Sequence, residues 1–160
     1  MRLRVPVAAA AILAVVVVLR LTALDTIRVS SGSMAPTVCT GDVVMINHLV
    51  PTSGVVVGDI VTFPRPGDGS EQVKFVVALG GQSVAIADAA LVVDGRVVPE
   101  PSVDGASIDG VYFGPVTVPL GSAFVMGDDR EISIDSRIFG AVPLDGIDGR
   151  LLTTLWSDCP

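Results

Sequence analysis

The chain has 160 residues, half of them hydrophobic and only 17% charged, with a formal net charge of -7. Setting aside an apolar N-terminal stretch, this length fits one domain with a modest core. The acidic balance and the lack of any basic stripe argue against a nucleic-acid partner.

Three of the ten basic residues, Arg2, Arg4 and Arg20, lie in or beside the apolar N-terminal stretch. From Asp25 onward, seven basic residues face 17 acidic ones, a balance of -10. The 17 glycines and 11 prolines, set among many Val and Ile, indicate a β-rich domain with frequent turns.

Taken in chain order, residues 1–4 are expected to form a short cytoplasmic tail carrying Arg2 and Arg4. Val5 to Leu19 is an apolar run containing Pro6, followed by Arg20 and then Leu21 to Leu24. A helix of ~20 apolar residues crosses a bilayer. Residues 5–24 therefore read as a single transmembrane helix, with Arg20 snorkelling to the outer interface. Positive flanks stay in the cytoplasm, so residues 25–160 are expected to be an extracytoplasmic domain, tethered to the lipid bilayer. A cleavable signal peptide is the rival reading, and no small-x-small site follows the run.

Asp25 to Val29 reads as a short link, and Ser33 to Val38 as a turn-rich patch. Val43 to Ile46 and Asp59 to Phe63 read as strands. Pro64 to Ser70 is a loop, and Gln72 to Leu79 an apolar strand holding one lysine. In the stretch Leu91 to Val98, Asp94-Gly95 sits between two β-branched runs, the signature of a type I′ hairpin. Pro99 to Gly110 is polar and Gly-rich and is expected to be an exposed loop. Thr117 to Pro119 and Ala123 to Met126 are short strand candidates. Leu151 to Trp156 is a final strand or a short helix. Cys39 and Cys159 have no Cys or His partner at zinc spacing, so no metal site is indicated. A disulfide between them is allowed outside the cytoplasm, and the sequence leaves that pairing and two free thiols equally open.

Three separated segments carry chemistry. The first is Ser31-Gly32-Ser33-Met34-Ala35-Pro36-Thr37, followed by Gly41-Asp42. The second is Val73-Lys74-Phe75-Val76-Val77. The third runs from Gly127 through Asp128, Arg130, Ser133 and Asp135 to Arg137. Each alone has a plain structural reading, as turn residues, a solvent-facing lysine and a surface ion network. A serine hydroxyl becomes a nucleophile only when a base removes its proton. His48, the only histidine, lies in a strand without distinctive context and reads as a surface or packing residue. Lys74 suits the task better, because its apolar neighbours favour the neutral amine.

In this order the three segments resemble the type I signal peptidases, the bacterial serine–lysine family. The resemblance runs from the apolar stretch to about Pro143. It implies a serine endopeptidase, without metal or other cofactor, that removes signal peptides from exported preproteins by cutting after small residues. It implies Ser33 as nucleophile and Lys74 as general base. Ser31 would join the Ser33 backbone N–H in an oxyanion hole. Ser133 would orient the lysine, Asp135 and Arg137 would brace that serine's loop, and Asp128 and Arg130 would be structural. Val29, Met34, Val38 and Val73 would line shallow substrate pockets. An extended peptide would pair with the strand leading to Lys74.

The implied fold is mostly β, with antiparallel sheets in a partly open barrel-like domain, and the implied state a monomer. The chain departs from the family pattern at Phe75, which stands for an arginine, and at Gln82, which stands for an aspartate. It departs too at Ser30, where proline is common, and at Asp129, where asparagine is. The first two departures put a charge pairing in doubt but not the base, because strand alternation sends residue 75 away from the face of Lys74. Two other readings remain: a specialised relative that processes one pilin or exported peptide, and a non-catalytic membrane-anchored β-domain that binds exported peptides.

Overall fold

A computed structural model describes residues 7–100 and 112–159. Helix α1 spans Val7–Ala23, and eleven strands follow: β1 Leu24–Arg28, β2 Val43–Asn47, β3 Ile60–Pro64, β4 Glu71–Leu79, β5 Ser83–Ala87, β6 Ala90–Val93, β7 Arg96–Val97, β8 Tyr112–Thr117, β9 Ser122–Met126, β10 Val142–Pro143 and β11 Gly149–Trp156. A one-turn helix α2, Ser136–Phe139, lies between β9 and β10.

The strands form two antiparallel sheets. The larger has seven strands in the order β1-β2-β11-β3-β4-β9-β10, and the smaller has four in the order β7-β6-β5-β8. The larger sheet begins at β1 and ends at β10 with no pairing between them among the described residues, so no closed barrel forms there. The mostly β structure with few helices is as the composition implied, and its antiparallel sheets are as the resemblance implied.

Three buried clusters hold the sheets. Val77, Ala78, Val84, Ile86, Leu91, Val118, Phe124 and Met126 join the two sheets through β4, β5, β6 and β9. Val55, Val61, Phe63, Val76, Ala123, Val125 and Val142 form the second cluster. Val29, Met34, Val38, Val44 and Ile46 form the third, under the turn that carries Ser33. Phe63 and Met34 are almost wholly enclosed, and full burial of such a side chain stabilises the fold by ~1.5–3 kcal/mol.

Most of the expected strands form at nearly the expected places. The type I′ hairpin also forms, with Asp94 at φ 51° and Gly95 at φ 75°. Two readings change, one strand is new, and one open choice is settled. Asp25 to Val29 is no passive link: residues 24–28 form β1, paired with β2 from Leu24↔Asn47 to Arg28↔Val43. Leu24, expected to end the membrane helix, therefore starts a strand. Strand β5, Ser83–Ala87, had no sequence signal of its own and is set by its pairing with β6 and β8. Leu151 to Trp156 is a strand rather than a helix, paired with β2.

The cytoplasmic tail (1–4), the first two residues of the expected anchor and most of the expected loop from Pro99 to Gly110 lie outside the described residues. Among the described residues no helix is long and apolar enough to cross a membrane.

Candidate active site

Lys74 sits in β4 opposite Val61 of β3. It is 2% exposed. A lysine so enclosed resists charging, because its ammonium loses hydration. Burial is the largest influence and brings its pKa down to about 8. The Asp135 carboxylate opposes that shift, while Arg137 and Arg65 reinforce it.

Ser33 lies in the turn after β1, and the backbone of residues 29–42 folds this turn onto itself. Val29 N donates to Asp42 O at 2.8 Å, Ala35 N to Gly32 O at 2.9 Å and Val38 N to Met34 O at 2.8 Å. Met34 and Val38 plug into the third core cluster and so hold Ser33 above it. Lys74 Nζ and Ser33 Oγ are hydrogen-bonded at 2.6 Å, across 41 residues of sequence. Ser31 Oγ lies 3.4 Å from Ser33 Oγ. At 2.6 Å from the Ser33 hydroxyl, a neutral Lys74 amine is within reach to accept its proton directly.

The third segment packs against the same turn. Asp129 N donates to Ser33 O at 3.2 Å, and Ser133 N to Asp129 O at 3.1 Å. Gly127 has no room for a side chain: a Cβ there would lie 2.3 Å from Ser33 O and 2.4 Å from Ser133 Oγ. Asp135 is fully buried. It meets Arg137 in a two-pronged ion pair, Nε to Oδ1 at 2.9 Å and Nη2 to Oδ2 at 2.9 Å. Its carboxylate also accepts from Gly127 N at 3.2 Å and from Arg137 N at 3.1 Å, capping α2. Arg137 Nη2 further donates to Arg130 O at 2.8 Å. One ion pair thus ties the segment together: the Asp135 carboxylate accepts from Gly127 N and Arg137 N, while the Arg137 guanidinium donates to Arg130 O.

Ser133 departs from its expected contact. It is buried, but its Oγ has no hydrogen-bond partner, so the bond to Lys74 implied by the resemblance is not formed. Asp128 and Arg130 are both buried as well. Arg130 pairs with Glu100 and donates from Nε to Gly127 O at 2.9 Å. Burial raises the Asp128 pKa, and Thr37 and Arg130 partly offset that. Its Oδ2 is left unpartnered.

A groove of about 290 Å³ leads to the Ser33–Lys74 pair, lined by residues of the turn, of β1 and of β4. Val29, Met34 and Val73 line it, with Ser31, Ser33 and Lys74. Val38 does not; its side chain is buried in the third core cluster. Phe75 is absent from the lining and packs into two core clusters instead. Gln82 replaces a charge contact with amide bonds, accepting from Leu79 N at 2.8 Å and donating to Asp94 at 3.2 Å. His48 is remote in role: its Nδ1 lies 2.8 Å from the Asp148 carbonyl on the exposed side of β2.

Two features had no clear signal in the sequence. One is Asp42, 1% exposed. Burial alone would raise its pKa, but the backbone N–H groups of Cys39 and Asp158 hold it below the usual carboxylate value. Those donors lie at 2.9 and 2.7 Å. The other is the disulfide between Cys39 and Cys159, with Cα atoms 5.3 Å apart. Together they fasten the end of the chain to the turn beyond Ser33.

The family model described as "Signal peptidase, peptidase S26" matches residues 2–156. The signal peptidase I of Bacillus caldolyticus is 33% identical over 155 residues, covering 89% of this chain and 85% of that protein. The signal peptidase I of Mycobacterium tuberculosis (strain H37Rv) is 38% identical over 112 residues, 57% of this chain and 38% of that protein. The chain thus spans well under half the length of this mycobacterial relative. The mitochondrial ATP-independent inner membrane protease subunit 1a of Arabidopsis thaliana is 32% identical over 136 residues, covering 83% of this chain and 71% of that protein. The crystal structure of a signal peptidase I from Enterococcus faecalis V583 superposes with a TM-score of 0.54 at 30% identity, covering 62% of this chain and 97% of that one. The extent of the family match, with the Bacillus alignment running almost end to end, means that this chain belongs to the signal peptidase family, peptidase S26.

Proposed function

We propose that the chain is a serine endopeptidase that removes signal peptides from exported preproteins, with Ser33 as nucleophile and Lys74 as general base. The observation that carries this reading is the 2.6 Å contact between Ser33 Oγ and a buried lysine amine with a pKa of about 8. Near neutral pH a fraction of that amine is uncharged. It takes the Ser33 proton as Oγ attacks the scissile carbonyl, then returns a proton to the leaving amine. Ser31 Oγ and the Ser33 N–H face the developing oxyanion; loss of one such donor costs ~10²–10³ in rate. Ser133, Asp135 and Arg137 hold the wall behind the pair, and Asp128 and Arg130 keep the third segment folded against it.

Val29, Met34 and Val73 form the apolar lining for the small residues before the cut. The edge of β4 supports docking of an extended substrate. Residues 71–75 pair with β3, and pairing with β9 begins only at Phe75. One edge of residues 71–74 therefore offers free backbone groups for strand addition. The apolar residues 5–24, preceded by Arg2 and Arg4, would tether residues 25–160 as a monomer at the outer face of a bilayer. Ser33 lies only nine residues after Leu24, which keeps the site where a translocated signal peptide ends.

The test is cleavage of a preprotein by the full chain in detergent micelles. Ser33→Ala and Lys74→Ala should each lose at least ~10⁴-fold in rate while remaining folded. Cleavage unchanged in both variants would sink the enzyme reading. Binding of signal peptide without any cleavage by the wild type would favour the non-catalytic domain.

A further inference from the structure

A second cavity, of about 200 Å³, shares no lining residue with the groove that holds Ser33 and Lys74. A cavity of ~150 Å³ already takes a benzene-sized molecule. The inner wall is apolar: Phe75, Val76, Val77 and Leu91, the last three buried. Val57 and Pro99, which also line it, are exposed, so the space is reached from solvent.

Two carboxylates stand in this wall, Asp128 and Glu100. Glu100 is paired with Arg130, which is not among the described lining residues. Asp128 is 7% exposed. Its carboxylate meets the Thr37 hydroxyl, yet its Oδ2 has no hydrogen-bond partner. Buried polar atoms nearly always have one, and leaving a buried carboxylate oxygen without one is costly. Burial raises the Asp128 pKa and Arg130 only partly offsets that, as expected of a carboxylate short of positive charge. Two carboxylates against one guanidinium leave the wall short of a cation.

We propose that this cavity binds a short alkyl cation, a guanidinium or ammonium head on an apolar stem. The head donates to Asp128 Oδ2, and the stem lies against Phe75, Val76 and Leu91. The face of an aromatic ring such as Phe75 also attracts a cation. An anion meets two like charges here, and a purely apolar guest leaves Oδ2 unsatisfied. Arginine and lysine side chains of another chain share this chemistry with free alkylamines. The site stands apart from the Ser33 chemistry, so its test reads binding and not cleavage.

The experiment titrates the full chain in zwitterionic micelles with n-butylguanidinium and with its neutral counterpart n-butylurea, followed by the methyl NMR signals of Val57 and Leu91. The cation should bind saturably and at least ~10-fold more tightly than the urea, the scale of one hydrogen bond to a charged group. Asp128→Asn should bring the two within ~3-fold of each other. Val57→Trp, at an exposed position, should obstruct the entrance and weaken both, and it decides the matter if Asp128→Asn does not fold. Equal binding of cation and urea to the wild type, a preference that persists in Asp128→Asn, or binding unchanged in Val57→Trp overturns the site, whatever Ser33 does. Acetyl-arginine methylamide separates the sources. Its binding with the same dependence on Asp128 supports an arginine side chain as guest, and its exclusion while n-butylguanidinium binds supports a free alkylamine.

Discussion

The two halves of β4 share one backbone but differ in what surrounds them. Residues 71–74 pair with β3 alone, and their other edge faces the groove. From Phe75 onward β9 covers that edge, while Val76 exchanges hydrogen bonds with the segment before β3, N to Asp59 O and O from Gly58 N, each at 2.8 Å. The second half accordingly carries Val76, Val77 and Ala78, all buried, whereas Glu71 at the open end is exposed. Lys74 stands at the junction, enclosed enough that its pKa falls to about 8, yet on backbone whose other edge borders the groove. A site of this kind needs both neighbours: the closed half supplies rigidity and low polarity, and the open half supplies access.

The sharpest way to break this arrangement lies behind the junction. Asp135→Asn removes the charge that pairs with Arg137 at the back of the site. Breaking one partner of a buried pair costs ~3–5 kcal/mol, so urea denaturation should show a loss of that order. Because the Asp135 carboxylate favours the charged lysine, the variant molecules that still fold should also show a Lys74 titration moved to lower pH.

The wild-type titration gives the next effect. With Lys74 at about 8, kcat/KM should rise with pH, ~10-fold per unit below that value, and level off above it. The sign for stability follows from the same group. Its folded pKa is below that of the unfolded chain, so between about 8 and the ordinary lysine value of 10.5 the unfolded chain binds more protons. Lys74 therefore makes the fold more stable as pH rises through that window. Lys74→Met should remove that slope as well as the activity. A flat rate between pH 6 and 8 would mean that the lysine is not the base.

The smallest effect belongs to the closed half. Val76→Ala should cost ~1–3 kcal/mol by leaving space in the second core cluster, measured as a lower denaturation midpoint. The kcat/KM of the folded fraction should stay within ~2-fold, as a purely structural position demands. A large loss of turnover there would show that the two halves are not separable.

Much of this was legible in the linear chain because it is local or rests on spacing. The Asp94-Gly95 turn, the apolar strand around Lys74 and the serine turn each announce themselves within a few residues. The resemblance of three segments to the signal peptidases named the residues that the fold then gathers. Other features had no such signal. β5 and β1 exist through pairing with strands that local propensity does not specify. Val38 was expected in the groove, but its side chain is taken by the core, a choice made by packing among Met34, Val44 and Ile46. Ser133 reaches the back of the site without its expected bond, because an oriented contact depends on side-chain position within ångströms, which no motif encodes.

By itself, then, the sequence determined a β-rich chain with an acidic balance after its apolar start, and a serine, a lysine and an acidic-basic motif in that order. Only the tertiary structure decided that Ser33 and Lys74 meet at 2.6 Å, that Cys39 and Cys159 are joined, and that the larger sheet stays open. The reason is physical. Composition and periodicity report which faces prefer water, whereas a proton transfer, a disulfide or a subsite depends on the relative placement of groups that can lie a hundred residues apart, and long-range packing alone sets that placement.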